Sequence, residues 1–205
     1  MIHRRLVVAG LAAASFARPA LAMSEPQRIP IEIVEEALEL EAAVRIGSPN
    51  GDVTMLEFFD YNCPWCRRSA QDLPALFATD PDLTYVLVNF AVLGAPSVEA
   101  ARVALGFFDR HGPARYMTLH QRLFGLRGGV DGTRALNEAE ALGSDRKRLV
   151  AAADSAKVTR QMTEALRVGN SLGVAATPSF VVGPEAYQGH VSLEDKRAIV
   201  ARARA

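Results

Sequence analysis

The sequence predicts an α/β fold in which an all-helical domain is inserted between strands of a single sheet. Two nearly continuous apolar runs, at residues 53–60 and 84–92, are typical of central strands covered by helices on both faces. Residues 97–172 then show helical periodicity broken by stops at 111–113, 128–129 and 143, with predicted helix N-caps at Ser97, at Asp131 or Thr133, and at Ser144. Two short strand-like segments, at 179–182 and 187–191, and a last helix follow. Because a helical stretch of that length is too long for a loop, and the strands on either side of it must share a sheet, it is predicted as an insertion.

The first 22 residues have the three regions of a secretory signal peptide. Residues 3–5 are basic, residues 6–16 form an apolar run, and residues 20–22 provide the small side chains that signal peptidase requires. The alternative is a membrane anchor, but this apolar run is too short to span a bilayer comfortably. We therefore expect export and cleavage after Ala22, by either the Sec or the twin-arginine route.

The remaining chain divides into three predicted parts. Residues 23–46 are expected to be an N-terminal helical segment, because residues 29–44 place apolar side chains on one helical face. This helix would dock on the domain or pair with another subunit. The main domain is predicted at 47–96 and 173–205, with the inserted helical domain at 97–172.

The composition is that of an ordinary globular protein and excludes a nucleic-acid-binding footprint. The chain is 49% hydrophobic and 22% charged, and 23 basic residues balance 23 acidic ones.

The two cysteines, Cys63 and Cys66, lie three positions apart where a predicted strand passes into a helix. A bridge between them closes almost no loop, so it has little structural value. Pro64 suits the first turn of a helix. Free N–H groups and the helix dipole lower the pKa of a cysteine at that terminus, so Cys63 is predicted to be the attacking sulfur and Cys66 the resolving one.

Other uses of this pair are less favoured. A zinc site needs two more ligands, and the histidines at 111, 120 and 190 show no ligand spacing. Soft thiolates suit Cu(I), so copper sequestration by the same two sulfurs is the alternative function. A third hypothesis, in which the helical block is a docking platform for a partner, has no support beyond the size of the block.

Two further positions are candidates for the site. By strand alternation Glu57 points to the same side as Met55 and Phe59, where burial would raise its pKa and allow it to exchange a proton with Cys66. The alternative is a carboxylate that reaches solvent near the end of the strand. Thr177-Pro178 begins a later strand, and the sequence leaves a cis or a trans bond open.

The phrase LEFFDYNCPWCRR at residues 56–68 closely resembles the DsbA-like branch of the thioredoxin superfamily, in particular its exported ScsC/Com1-like members. The resemblance covers roughly residues 45–203. It implies a thioredoxin-like fold with an inserted helical domain, Cys63 as nucleophile and Cys66 as resolving thiol.

The resemblance also implies roles for residues around the cysteines. Glu57 is the buried acid, and Pro178 is a cis-proline whose loop, with Thr177, pairs with an extended substrate segment. Trp65 stands where tyrosine or histidine is more common in the family. Since tryptophan offers the sulfur neither the charge nor the hydrogen bond of histidine, oxidation, reduction and isomerisation all stay open as the direction of exchange.

Expectations about location and partners follow from the same resemblance. The protein is expected in the periplasm, acting on cysteine-containing exported proteins, with a DsbB-like or DsbD-like membrane protein as redox partner. No cofactor is expected beyond the Cys63–Cys66 pair, which itself stores two electrons. We expect a monomer, because few mature residues precede the domain to hold subunits together.

Overall fold

A computed structural model describes residues 25–205, so the predicted signal peptide and the start of the 23–46 segment lie outside the described residues. The strands and helices follow in the order β1 Gln27–Arg28, α1 Ile31–Leu38, β2 Val44–Gly47, β3 Val53–Phe59, α2 Pro64–Thr79, β4 Leu83–Asn89, α3 Ala95–Gly125, α4 Gly132–Ala141, α5 Arg146–Ala153, α6 Ala156–Ser171, β5 Ser179–Val182, β6 Glu185–Gln188 and α7 Leu193–Ala203. Within residues 25–205, no helix has both the length and the apolar character needed to cross a membrane.

The strands form one six-stranded mixed sheet in the order β1-β6-β5-β3-β4-β2, with only β3 and β4 parallel to each other. The two predicted central strands are β3 and β4, and they lie next to each other inside the sheet. Alternate residues of β3 enter different cores. Met55 and Phe59 pack among residues of α2, α3 and α7, whereas Leu56 and Phe58 pack among residues of α1 and α6. The redox motif begins directly beyond β3, on the first of these two sides.

Helices α3 to α6 occupy the chain between β4 and β5, which confirms the predicted fold of an α/β sheet with a helical insertion. Gly112 adopts φ 76°, a left-handed conformation that interrupts α3 at one of the predicted stops. Asp131 caps α4 as predicted, since its side chain accepts the Arg134 N–H.

Two predicted helix caps are wrong. Ser97 lies inside the first turn of α3, where its buried hydroxyl donates to Asp60 instead. Ser144 gives way to Asp145, whose carboxylate accepts the Arg148 N–H and caps α5. The N-cap residues are Gly94 for α3 and Asp145 for α5, so a serine nearby did not by itself locate the start of either helix.

The helix predicted at 29–44 is too long. It ends at Leu38, and Val44–Gly47 form the edge strand β2, which pairs antiparallel with β4. Val44 is buried in either arrangement, so an apolar residue at helical spacing was compatible with both. The pairing with β4 satisfies backbone groups that a longer helix would leave unpaired along that edge of the sheet. Helix α1 packs on α6 of the same chain, which is the docking alternative.

The last strand also differs from its predicted position. We expected residues 187–191, and the structure has β6 at Glu185–Gln188, directly after the two-residue turn Gly183-Pro184. A two-residue turn fixes the register of the hairpin, so the second strand begins earlier than its apolar residues suggest.

Candidate redox site

Cys63 is the residue that caps the N-terminus of α2. Its backbone is extended, and Pro64 occupies the first helical turn, where no N–H is needed. The N–H of Cys66 donates to Cys63 Sγ over 3.4 Å, and the Cys63 thiol donates to the carbonyl of Thr177 over 3.1 Å. The Thr177–Pro178 bond is cis, as the resemblance predicts. The fold therefore brings this loop to the sulfur from 114 residues away.

The contacts around Cys63 favour its ionised form. Hydrogen bonding from the Cys66 thiol, and then from Thr177 and the N–H groups of Cys66 and Trp65, lowers the pKa of Cys63 to about 6 against the opposing effect of burial. A cysteine with that pKa is mostly thiolate at neutral pH, which is the nucleophilic form.

Cys66 is held in the opposite state. Its side chain is only 1% exposed, and burial, then the neighbouring Cys63 and Glu57, raises the pKa of the Cys66 thiol far above its usual range. One N–H, that of Asp60, donates to its sulfur over 3.5 Å. Cys66 therefore keeps its proton unless a nearby base removes it.

Glu57 lies on β3 with its side chain toward the cysteines, as strand alternation predicts. It is 2% exposed, which excludes the alternative of a carboxylate that reaches solvent. Burial raises the pKa of the Glu57 carboxyl, and the strongest opposing influence is the ammonium of Lys196. The hydroxyl of Tyr85 donates to Glu57 Oε2 over 2.6 Å. A buried carboxyl whose pKa is raised in this way can exchange a proton with a neighbouring thiol.

Trp65 extends from the motif toward solvent, with 51% of its surface exposed. Its ring stacks on that of His190, with centroids 4.9 Å apart and planes inclined by 27°. His190 follows β6 in the chain, and burial, then the charge of Lys196, lowers its pKa. The sequence analysis considered this histidine only as a metal ligand and rejected that role. Nothing in the sequence around His190 indicates that its side chain reaches the motif.

Asp60, three residues before Cys63, organises the turn that precedes the helix. Its carboxylate accepts the backbone N–H groups of Asn62, Val92 and Leu93 and the hydroxyl of Ser97, at 2.7 to 2.9 Å. It is 1% exposed, so these four donors replace the water that the charge has lost. The side chain fixes the motif to the start of α3.

Asn62 and Arg67 connect the motif to the loop between α3 and α4. The Asn62 amide accepts the Val130 N–H over 2.7 Å and donates to the Val130 carbonyl over 2.9 Å, in the manner of a strand pair. Arg67 donates to the carbonyls of Leu126 and Gly128. Both residues belong to the family-specific segment at residues 56–68, which was the only indication in the sequence that they matter. The sequence analysis assigned neither of them a role.

A buried polar cluster lies between α2 and α7. Lys196 of α7 is 0% exposed, and its ammonium donates to Ser69 Oγ and Asp72 Oδ2 of α2, each over 3.0 Å. Sequence reasoning missed Lys196, because a lysine near the start of a charged helix ordinarily faces water.

Within residues 25–205, the two other histidines, His111 and His120, contact neighbouring side chains of the helical insertion and the core. His120 is buried among aromatic rings with Nδ1 3.3 Å from the Tyr61 hydroxyl, and burial lowers its pKa to about 3. His111 lies 3.1 Å from the Ser144 hydroxyl. In the part of the chain that the structure describes, no three side chains of the metal-binding types come together.

Known proteins share this fold. A sequence model of the family described as thioredoxin matches residues 39–202. A thioredoxin-like oxidoreductase from Silicibacter pomeroyi DSS-3 is 34% identical, covers 83% of this chain and 96% of its own, and superposes with a TM-score of 0.77. A comparison with curated proteins finds no match.

Two more distant solved structures have the same fold. The catalytic domain of ScsC from Proteus mirabilis is 23% identical over 84% of this chain and 96% of its own, with a TM-score of 0.75. The thiol-disulfide exchange protein alpha-DsbA2 from Wolbachia pipientis is 21% identical over 83% of this chain and 91% of its own, with a TM-score of 0.76. These likenesses confirm the predicted fold.

Proposed function

The chain belongs to the thioredoxin family and is a thiol–disulfide oxidoreductase, and from that premise we propose that it exchanges disulfides with cysteine-containing proteins exported to the periplasm. The signal-peptide pattern of residues 1–22 supports export. We further propose that the Cys63–Cys66 pair is the only electron carrier and that the protein works as a monomer recycled by a membrane redox partner.

The observation on which this proposal rests is the difference between the two thiols. Cys63, with a pKa of about 6, is ionised at neutral pH, whereas Cys66 is buried and keeps its proton. Nucleophilic attack therefore begins at Cys63, and Cys66 reacts only inside the mixed disulfide.

In the reducing direction, the Cys63 thiolate attacks a client disulfide, one client sulfur leaves as thiolate, and a mixed disulfide forms. Glu57 then takes the proton of Cys66, whose sulfur attacks Cys63 Sγ. The bond between Cys63 and the client breaks, the second client thiolate leaves, and the enzyme is left as the disulfide. Two electrons have passed from the enzyme to the client.

The oxidising direction reverses these steps. A client thiolate attacks Cys63 of the disulfide, and Cys66 departs and takes its proton from protonated Glu57. A second client thiolate then attacks the first client sulfur and releases Cys63 as thiolate. Stabilising that thiolate favours the reduced enzyme and so favours disulfide donation.

Trapping of mixed disulfides tests this function. The Cys66→Ser variant should accumulate covalent complexes with periplasmic proteins, because the resolving sulfur is absent. The complexes are counted on non-reducing gels of alkylated extracts and should disappear on reduction. Cys63→Ser is the matched control, with the same atom changed at the other cysteine, and should trap nothing. A Cys66→Ser protein that forms no reducible complexes would contradict the proposal.

A further inference from the structure

Lys196 is the most unusual charged residue of the fold outside the motif. Its side chain is fully buried, at 0% exposure, although lysine is seldom buried without a reason. Its ammonium has two anchors on the redox helix, Ser69 Oγ and Asp72 Oδ2, each at 3.0 Å. Asp72 compensates the charge and is itself only 8% exposed. The pair therefore fixes the position of a positive charge inside the protein.

The sheet places that charge beside Glu57. The Lys196 ammonium lies over the ring of Phe180, 5.3 Å from its centroid. Phe180 on β5 is the register partner of Glu57 on β3, and directly opposite residues in an antiparallel pair point to the same face of the sheet. Lys196 and Glu57 therefore face the same space between the sheet and α2. Ser69, which accepts from Lys196, also acts to lower the pKa of Glu57.

Other ionisable groups share this space. They are Cys63 at the cap of α2, Cys66 and Asp72 on α2, Tyr85 on β4, Tyr116 on α3 and Lys196 on α7. Only Lys196 among them is cationic. Burial disfavours the charged form of Glu57, and the positive charge of Lys196 is the strongest influence that opposes burial, ahead of the hydrogen bond from Tyr85.

We propose that Lys196 is a positioning residue of the redox site, whose buried ammonium, fixed by Ser69 and Asp72, favours the carboxylate form of Glu57 and keeps it ready to take the proton of Cys66. The inference rests on the proposed thiol–disulfide exchange and adds a residue from the last helix to its proton transfer. It also predicts the direction of the effect: without the charge the pKa of Glu57 rises further, and a smaller fraction of Glu57 is available as a base for Cys66.

Titration of Glu57 tests this role directly. The carboxyl ¹³C resonance is followed against pH in the oxidised protein and assigned by its loss in Glu57→Gln. In Lys196→Met the midpoint should rise by about one pH unit or more, which is a roughly tenfold loss of carboxylate below the midpoint. Because that variant leaves Asp72 unpaired, Lys196→Met combined with Asp72→Asn provides a second measurement and should show the same rise.

A matched control is available one position along the same helix. Arg197 also carries a positive charge and also contacts α2, through Thr79 and the carbonyl of Ala75, but it is exposed. Arg197→Met should leave the Glu57 midpoint unchanged. An unchanged or lower midpoint in both Lys196 variants would overturn the proposal.

Kinetics separate this inference from the proposed function. The rate of Cys63–Cys66 disulfide formation at saturating oxidised glutathione should fall about tenfold in Lys196→Met at neutral pH and about as far in Glu57→Gln, and the two changes together should be no slower than Glu57→Gln alone. If Cys66→Ser traps clients and Glu57→Gln slows closure while Lys196→Met changes neither the rate nor the midpoint, this inference alone fails. If Cys66→Ser traps nothing, the proposed function fails, whatever the titration shows.

Discussion

The chemistry of Cys63 depends on contacts that different parts of the chain make with one sulfur. The N–H of Cys66, from the first turn of α2, donates to it, and the carbonyl of Thr177, from the loop before β5, accepts from its thiol. Only Pro64 and Trp65 separate the two cysteines, yet their sulfurs experience opposite effects, because Cys63 lies at the open end of the helix and Cys66 is buried beneath it.

Titration of the thiolate checks this difference. As pH rises, absorbance at 240 nm in the reduced protein should increase by one thiolate with a midpoint near 6. Since the folded state lowers this pKa, the reduced protein also gains stability as pH rises through the midpoint and loses it as pH falls below 6. Cys63→Ser should abolish the step, and Cys66→Ala should shift its midpoint upward by removing the side-chain donor of Cys66. A midpoint near that of free cysteine would show that the contacts do not act on the sulfur.

The local patterns of the sequence were sufficient where contacts are local. The alternation along β3 correctly placed Glu57 on the side of the cysteines, and the strand-to-helix junction correctly placed Cys63 at a helix start. They were insufficient where the partner is distant in the chain. The Asn62–Val130 pair joins residues 68 apart, and Lys196 and Asp72 are 124 apart. The hydrophobic periodicity of a single segment cannot reveal contacts between residues so far apart in the chain.

The junction between the motif and the helical insertion makes a specific prediction about stability. Replacing Asn62 with alanine leaves the backbone N–H and carbonyl of Val130 without partners and should lower the free energy of unfolding by about 2 kcal/mol. Urea denaturation of the reduced protein measures this change. Gln71→Ala, at an exposed position of α2, is the control and should stay within about 0.5 kcal/mol of the parent. An equally small effect of Asn62→Ala would mean that the junction contributes nothing to the fold.

The complete site exists only in the assembled molecule. Residues of β3 and α2 provide the two thiols and the acid, the loop before β5 provides Thr177, and the last turn and helix provide His190 and Lys196. The helical insertion is fixed to the same motif by Asn62 and by its Ser97–Asp60 contact. Because the sheet order places β5 beside β3, segments from both ends of the domain meet at the same sulfur.

The reduction potential is the property that this assembly determines. A Cys63 pKa of about 6 lies between the values near 7 and 3.5 that accompany potentials of about −270 and −120 mV, so we expect roughly −180 to −250 mV. Equilibration in glutathione buffers, with the two redox forms separated after alkylation, gives the value. Trp65→His should move it toward −120 mV by adding a group that holds the thiolate, whereas Trp65→Phe should change it little. A parent value near −120 mV would make disulfide donation with a DsbB-like partner the role. A value near −270 mV would indicate reduction with a DsbD-like partner, and either would show that contacts beyond those of Cys66 and Thr177 set the stability of the thiolate.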